Sequence, residues 1–260
     1  MKLSAVIICV DYSDFLAHTL PLNRSQFDSI VVVTSTADVY TQQLCTHYRV
    51  RCVQTDVFFK NNVGPRGFNK GAGINEGLAV IDQSDWLVHM DADIVLPFRT
   101  RDILESLPLD PRCIYGVDRM MCKSHEDWMR FIVNPELQHT DDIYVTANAF
   151  PLGSRIARLR GHPPNDLGYV PIGFFQLWHP GQSGIHVYPD QHTNAGRSDM
   201  LFACQWGRPR RHLIPEIVAI HLESGENEQG ANWNGRKSSC FGPTPGSVRV
   251  PFKGGYDGDC

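Results

Sequence analysis

The chain has 260 residues, 42% of them hydrophobic and 20% charged, with a formal charge of −4 at neutral pH. That composition excludes a disordered, collagenous or coiled-coil chain, and it carries no overall footprint of a nucleic-acid binder. It supplies enough residues to bury a sizeable core in one domain, or in one domain with an appended C-terminal segment.

The charge is unevenly spread. Residues 1–150 carry 13 Lys and Arg against 19 Asp and Glu, whereas residues 151–211 carry 7 against 3. The basic stretch includes Arg155, Arg158, Arg160, Arg208, Arg210 and Arg211, which fit either a solvated face or a surface for a polyanionic acceptor. The N-terminus has no charged region followed by a long apolar run, and no later stretch reaches membrane length, so a cytoplasmic protein without a transmembrane segment is expected. The eight cysteines form no C-x-x-C pair and read as free thiols in a reducing compartment.

In chain order, residues 4–10 and 29–33 are near-continuous apolar runs of strand length, the pattern of strands covered on both faces in a parallel sheet. Helical spacing of Phe15, Leu16, Thr19 and Leu20 predicts a helix over 14–22, and a second is expected over 37–47 before a strand at 50–54. A loop rich in Asn and Gly (61–67) precedes a helix over 69–81, and residues 86–90 form the fourth strand. The order β-α-β-α-β-α-β predicts right-handed crossovers and an α/β, doubly wound, mostly parallel sheet with helices on both faces. Ligands of such sheets collect at the carboxyl ends of the strands, where Asp11, Thr34, Asp56, Asp91 and Asp93 would lie. Further on, strands are expected at 114–117 and 173–178, a helix at 198–206 with Ser198 near its N-cap, and a strand at 216–220 ending at His221. The tail from Glu223 is rich in Gly, Asn, Ser and Pro, and reads as a loop that orders over a ligand or as a frayed end.

The strand that ends in Asp91-Ala92-Asp93 carries the most chemistry. Carboxylates two apart on an extended or turning backbone point to one side, and hard divalent cations take oxygen ligands while keeping positions for substrate phosphates. Two acids in a solvated turn are the plain alternative. The stretch Phe68-Asn69-Lys70-Gly71-Ala72-Gly73-Ile74-Asn75-Glu76-Gly77-Leu78 opens a helix with small residues and one cation. It is neither a P-loop nor a G-x-G-x-x-G, and fits a close approach to a phosphate or tight helix–sheet packing.

Taken together, the acid after the first strand, the FNKGAGINEGL helix, the WLVHMDAD strand and a later strand-end histidine resemble the glycosyltransferases of the GT-A fold, closest to family-2-like enzymes. The resemblance covers residues 1–97 well and 170–237 in outline. It implies a catalytic domain over 1–222, with a nucleotide-sugar half (1–97) and an acceptor half (98–222), and a C-terminal segment over 223–260. It implies that Asp11 contacts the base, that Lys70 and Asn75 line the donor cleft, and that Asp91 and Asp93 hold a divalent metal on the donor diphosphate. His221 matches a further metal ligand, which favours Mn²⁺ over Mg²⁺; a histidine bonded to a backbone carbonyl is the alternative. The VPIGFFQLW stretch (170–178) resembles the strand that builds the sugar and acceptor pocket, and equally reads as a core strand. Asp199 matches the acid-bearing helix start and would serve as the base that accepts the acceptor proton, or as a helix cap. The family pattern has paired acids there, whereas Ser198 precedes Asp199 here, so the stereochemical outcome stays open. Arg236 and Lys237 would close over the diphosphate or form a solvated turn.

The expected activity is therefore transfer of a sugar from a nucleotide-diphosphate sugar, with uridine as base, to an acceptor hydroxyl. The acceptor could be a polyanion such as hydroxymethylated pyrimidine in DNA, a phosphorylated lipid carrier or an acidic glycan. A nucleotidyltransferase is a second reading, weakened because Asp11-Tyr12-Ser13-Asp14-Phe15 has no glycine where a phosphate loop would follow the first strand. A non-catalytic carbohydrate- or nucleic-acid-binding module is the third.

Overall fold

The computed structural model describes residues 1–60, 68–122, 124–133, 169–191, 195–223 and 240–242. The elements run β1 (Leu3–Ile8), α1 (Ser13–Asn23), β2 (Ser29–Thr34), α2 (Val39–Tyr48), β3 (Arg51–Gln54), α3 (Lys70–Leu78), β4 (Trp86–Asp91), β5 (Ile94–Val95), α4 (Thr100–Ser106), β6 (Ile114–Cys122), α5 (His125–Ile132), β7 (Phe175–Trp178), α6 (Pro180–Ser183), α7 (Ala195–Ala203) and β8 (Arg211–Leu222). The class is α/β, as the sequence predicts. The described strands form one eight-stranded sheet in the order β3-β2-β1-β4-β7-β6-β8-β5.

The first four strands pair in parallel, with Ile8 of β1 opposite both Val33 of β2 and Asp91 of β4. Three antiparallel pairings follow: β4 with β7, β6 with β7, and β5 with β8. Alternate residues of each central strand enter two cores. Ala5, Ile7, Val32, Val88 and Met90 face one, with Phe15, Leu16 and Leu20 of α1 and Leu44 of α2. Val6, Ile8, Val31, Val33 and Leu87 face the other, with Ile74 and Leu78 of α3 and Phe202 of α7. Helices thus cover both faces, which explains why these strands read as unbroken apolar runs. The glycines of α3 serve this packing: a Cβ at Gly77 would meet Val6 and Val33, and one at Gly73 would overlap Phe58.

Several boundaries differ from those expected. The short helices α4, α5 and α6 are additional. β6 continues through Asp118 and Arg119 to Cys122, and every one of its residues is buried. β8 begins at Arg211 rather than 216, because it contains a bulge: Val117 of β6 pairs with Ile214, but Asp118 pairs with Val218, leaving Pro215, Glu216 and Ile217 outside the ladder. α7 begins at Ala195, so Ser198 lies inside the helix and not at its cap. Six described cysteines are free thiols, but Cys240 is disulfide-bonded, which corrects the expectation of free thiols throughout. No helix among the described residues is long and apolar enough to cross a membrane.

At the far face of α1, Phe241 stacks on Phe15 with ring centroids 4.8 Å apart and also meets His18 and His125, while its amide donates to the buried Asp14 carboxylate at 2.6 Å. Trp128 Nε1 donates to His18 Nδ1 at 3.2 Å, which requires that nitrogen to be unprotonated. Burial first, and the neighbouring His125 second, push the His18 imidazole down to about 4. The unfolded chain therefore binds a proton that the folded one refuses between about pH 6.5 and pH 4. Stability falls as pH falls through that window, by about 2 kcal/mol between pH 7 and pH 5 for this one group. Urea unfolding at both pH values should show that loss in the native sequence and a smaller one in His18→Asn, which keeps an acceptor but cannot be protonated. Equal losses would assign the acid sensitivity elsewhere.

Candidate functional site

The carboxyl ends of β1, β2 and β4 are level with one another, and the groups that follow them share one edge. Asp11, just past β1, takes a left-handed backbone (φ 58°) in which its amide donates to Asp38 Oδ2 at 2.9 Å. Asp38 also caps α2 through Thr41 and accepts from the Thr34 hydroxyl, so a buried carboxylate fixes this turn. An unusual backbone at this edge is a conformation the surroundings must impose.

β4 presents Leu87, His89 and Asp91 to the α3 side of the sheet, by strand alternation. Lys70 opens α3 behind its cap Asn69, whose side chain accepts from the Ala72 amide at 3.0 Å. A cation at a helix N-terminus opposes the helix dipole. Two carboxylates compensate it: Lys70 Nζ lies 2.7 Å from Asp91 Oδ1 and 3.3 Å from Asp199 Oδ2. Burial alone would discharge the ammonium, yet Asp199 and Asp91 hold its pKa above the ordinary lysine value. The same cation, after burial, pushes the fully buried His89 down to about 3, so His89 is neutral and donates from Nδ1 to the Val6 carbonyl at 3.2 Å.

Asp199 projects from α7 into this group. Its Oδ1 accepts from the Tyr188 hydroxyl at 2.7 Å. The same hydroxyl oxygen lies 2.7 Å from Gln176 Oε1, and Gln176 Nε2 donates to the backbone carbonyls of Pro171 and Asp199. Burial raises the Asp199 carboxyl above the ordinary aspartate range, against the opposing pull of Lys70. Gly173 makes the position possible, because a Cβ there would overlap the Asp199 carboxylate. Asn75 acts on the backbone of another segment, where its amide exchanges two hydrogen bonds with Tyr188, at 2.9 and 2.7 Å. It fixes the tyrosine that fixes Asp199.

Asp93 follows β4 where the chain turns into β5. The antiparallel pairing of Ile94 with His221 brings His221 Nε2 to 3.2 Å from Asp93 Oδ2. Burial works to raise the Asp93 carboxyl, but His221 and then Arg119 hold it below the usual range. Asp93 Oδ1 and His221 Nδ1 are buried with no hydrogen-bond partner among the described residues. An oxygen and an imidazole so placed are donors that suit a divalent cation. Asp91 is turned instead to Lys70, and among the described residues no group of three or more His, Cys, Asp or Glu is arranged to hold a metal. The expected trio thus divides into the pair Asp93–His221 and an acid bound by a lysine. Arg236 and Lys237 lie outside the described residues, as do Arg155, Arg158 and Arg160. Sequence reasoning missed Tyr188, Gln176, His89, Gly173 and Arg119. Gln176, His89 and Arg119 gave one signal, polarity inside strands otherwise apolar; Gly173 and Tyr188 lie outside the strands and gave none.

No protein-family description and no curated protein matches the sequence. Solved structures with a similar course include glucosyl-3-phosphoglycerate synthase from Mycobacterium tuberculosis with Mn²⁺, uridine diphosphate and phosphoglyceric acid, at 14% identity over 88% of this chain and 74% of that one, TM-score 0.47. The same enzyme with Mn²⁺, UDP-glucose and glycerol 3-phosphate gives 14% identity, 88% and 75% coverage and TM-score 0.46. A mycobacterial protein gives 14% identity, 88% and 70% coverage and TM-score 0.47. Likeness of this degree extends no further than a shared α/β architecture.

Proposed function

We propose that the protein is a metal-dependent glycosyltransferase that takes a nucleotide-diphosphate sugar, with uridine as the base, and transfers the sugar to an acceptor hydroxyl. One observation carries this reading: at the carboxyl edge of β4, a carboxylate–imidazole pair stands beside a buried lysine that bridges two further acids. A diphosphate leaving group needs positive charge, and an attacking hydroxyl needs a base. Asp93 and His221 would hold Mn²⁺ or Mg²⁺, with Asp91 as a further ligand once Lys70 turns to the phosphates. That ion supplies charge neutralisation of the departing diphosphate. Asp199, its carboxyl raised by burial, is a stronger base than an exposed aspartate, and Tyr188 holds one of its oxygens in place. Asp11 would meet the base at the same edge, and Arg236 and Lys237 would close over the diphosphate from the 223–260 segment. An acceptor in DNA draws no support: Arg208 and Arg210 sit on an exposed turn.

The test is hydrolysis of a panel of nucleotide sugars with Mn²⁺ and with EDTA, reading released nucleoside diphosphate. One donor should be hydrolysed slowly, EDTA should stop it, and Asp93→Ala should abolish it while circular dichroism stays unchanged. Turnover that survives EDTA or Asp93→Ala overturns the metal role.

A further inference from the structure

Resting on the transferase reading, we propose that Arg119 receives an anionic group of the acceptor, so that the acceptor is a small hydroxyl compound bearing a phosphate or a carboxylate. Arg119 lies in the interior of β6 and is only 7% exposed. Its guanidinium carbon sits 4.6 Å from the centroid of the Phe174 ring. Its Nε has no hydrogen-bond partner among the described residues, and no described carboxylate closes an ion pair with it. A buried guanidinium is ordinarily matched by a carboxylate or phosphate that takes two of its donors side by side. Leaving such a donor unmatched away from water is costly. Burial works against its charge, and Asp93, Asp91 and Glu223 oppose that effect without closing an ion pair on the fork.

Its position selects the acceptor over the donor. The diphosphate has Lys70 and the Asp93–His221 pair. Arg119 belongs to the other half of the chain, on the strand face it shares with His221 through the pairs Arg119–Ala219 and Met121–His221. It stacks on Phe174, whose neighbour Gly173 abuts the Asp199 carboxylate. Gly173 and Phe174 are consecutive residues, so one short segment touches both the Asp199 carboxylate and the Arg119 guanidinium.

Calorimetric titration of the full chain with inorganic phosphate, glycerol 3-phosphate, glycerate and neutral glycerol tests this, each with and without UDP and Mn²⁺. One of the anions should bind and glycerol should not; glycerol 3-phosphate against glycerate decides between phosphate and carboxylate. Arg119→Gln should weaken that anion at least tenfold. Arg119→Lys, which keeps the charge and loses the fork, should fall between, and UDP should bind all three proteins equally. Anion affinity unchanged in Arg119→Gln, a parallel loss of UDP in both variants, or no anion binding at all overturns the proposal. If UDP and its sugars fail to bind, the transferase reading falls by itself, while the phosphate titration without nucleotide still reports on Arg119. Circular dichroism verifies the fold, and the lysine variant decides the matter if the glutamine variant does not fold.

Discussion

Asp199→Asn should lower the transfer rate by about 10²- to 10⁴-fold, the usual share of a positioned general base, and leave donor affinity unchanged. The asparagine is isosteric and can still meet both Tyr188 and Lys70, so the loss would belong to proton transfer rather than to packing. The pH profile supplies an independent signature. The base must be ionised, and burial raises the Asp199 carboxyl above the ordinary aspartate range. The native rate should fall as pH drops through that raised value, earlier than for an exposed aspartate. The asparagine variant should lack that acid limb. Full activity in Asp199→Asn would remove it as the base.

Lys70→Met should cost more in stability than any other single change at this edge. Removing one partner of a fully buried ion pair costs roughly 3–5 kcal/mol. Asp91 is about one-third exposed and retains some hydration, which places the loss below the top of that range. The sign of its pH dependence separates this cause from a packing defect. Without the ammonium, the Asp199 carboxyl rises further, so the folded variant holds a proton that the unfolded chain has already released. The variant should therefore recover stability relative to the native protein as pH falls from 7 toward 4. Urea midpoints across that range give the answer; a difference independent of pH would point to lost packing of the lysine stem. Donor binding should fall as well, because the same ammonium is proposed to meet the diphosphate.

The first half of the molecule was legible because its physics is local. Strands covered on both faces read as apolar runs, Asn69 announces α3, and the order of elements leaves one sensible sheet. The second half hides its strands. β6 looks finished at Val117 because Asp118 and Arg119 follow, and charged residues in sequence read as a surface. Both are nevertheless buried, because the strand lies inside the sheet between β7 and β8. β8 is disguised by Pro215 and Glu216, which the bulge removes from the ladder. Lys70, Asp91 and Asp199 were singled out from sequence, and the lysine joins the two acids through contacts of 2.7 and 3.3 Å. What sequence could not supply was connectivity. Tyr188 stands in an irregular segment, and only its hydrogen bonds to Asn75 and Asp199 give it a purpose. Asn75 shows the converse, since a polar residue on a promising helix serves the backbone of another segment.

The bulge in β8 has a consequence for how the chain must be counted. Three residues, Pro215, Glu216 and Ile217, are spent between Ile214 and Val218 with no advance along β6. Because three is odd, the two faces of the strand exchange places in everything downstream, as when a row of alternating tiles is restarted out of step. The imidazole of His221 reaches Asp93 only in the restarted phase. Slide the end of the strand by one position and the His221 side chain would turn to the other face of the sheet, away from the acid. Whether a histidine reaches this edge is thus settled by the number of residues upstream of it, and a sequence that keeps every side chain but loses one spacer loses the pair.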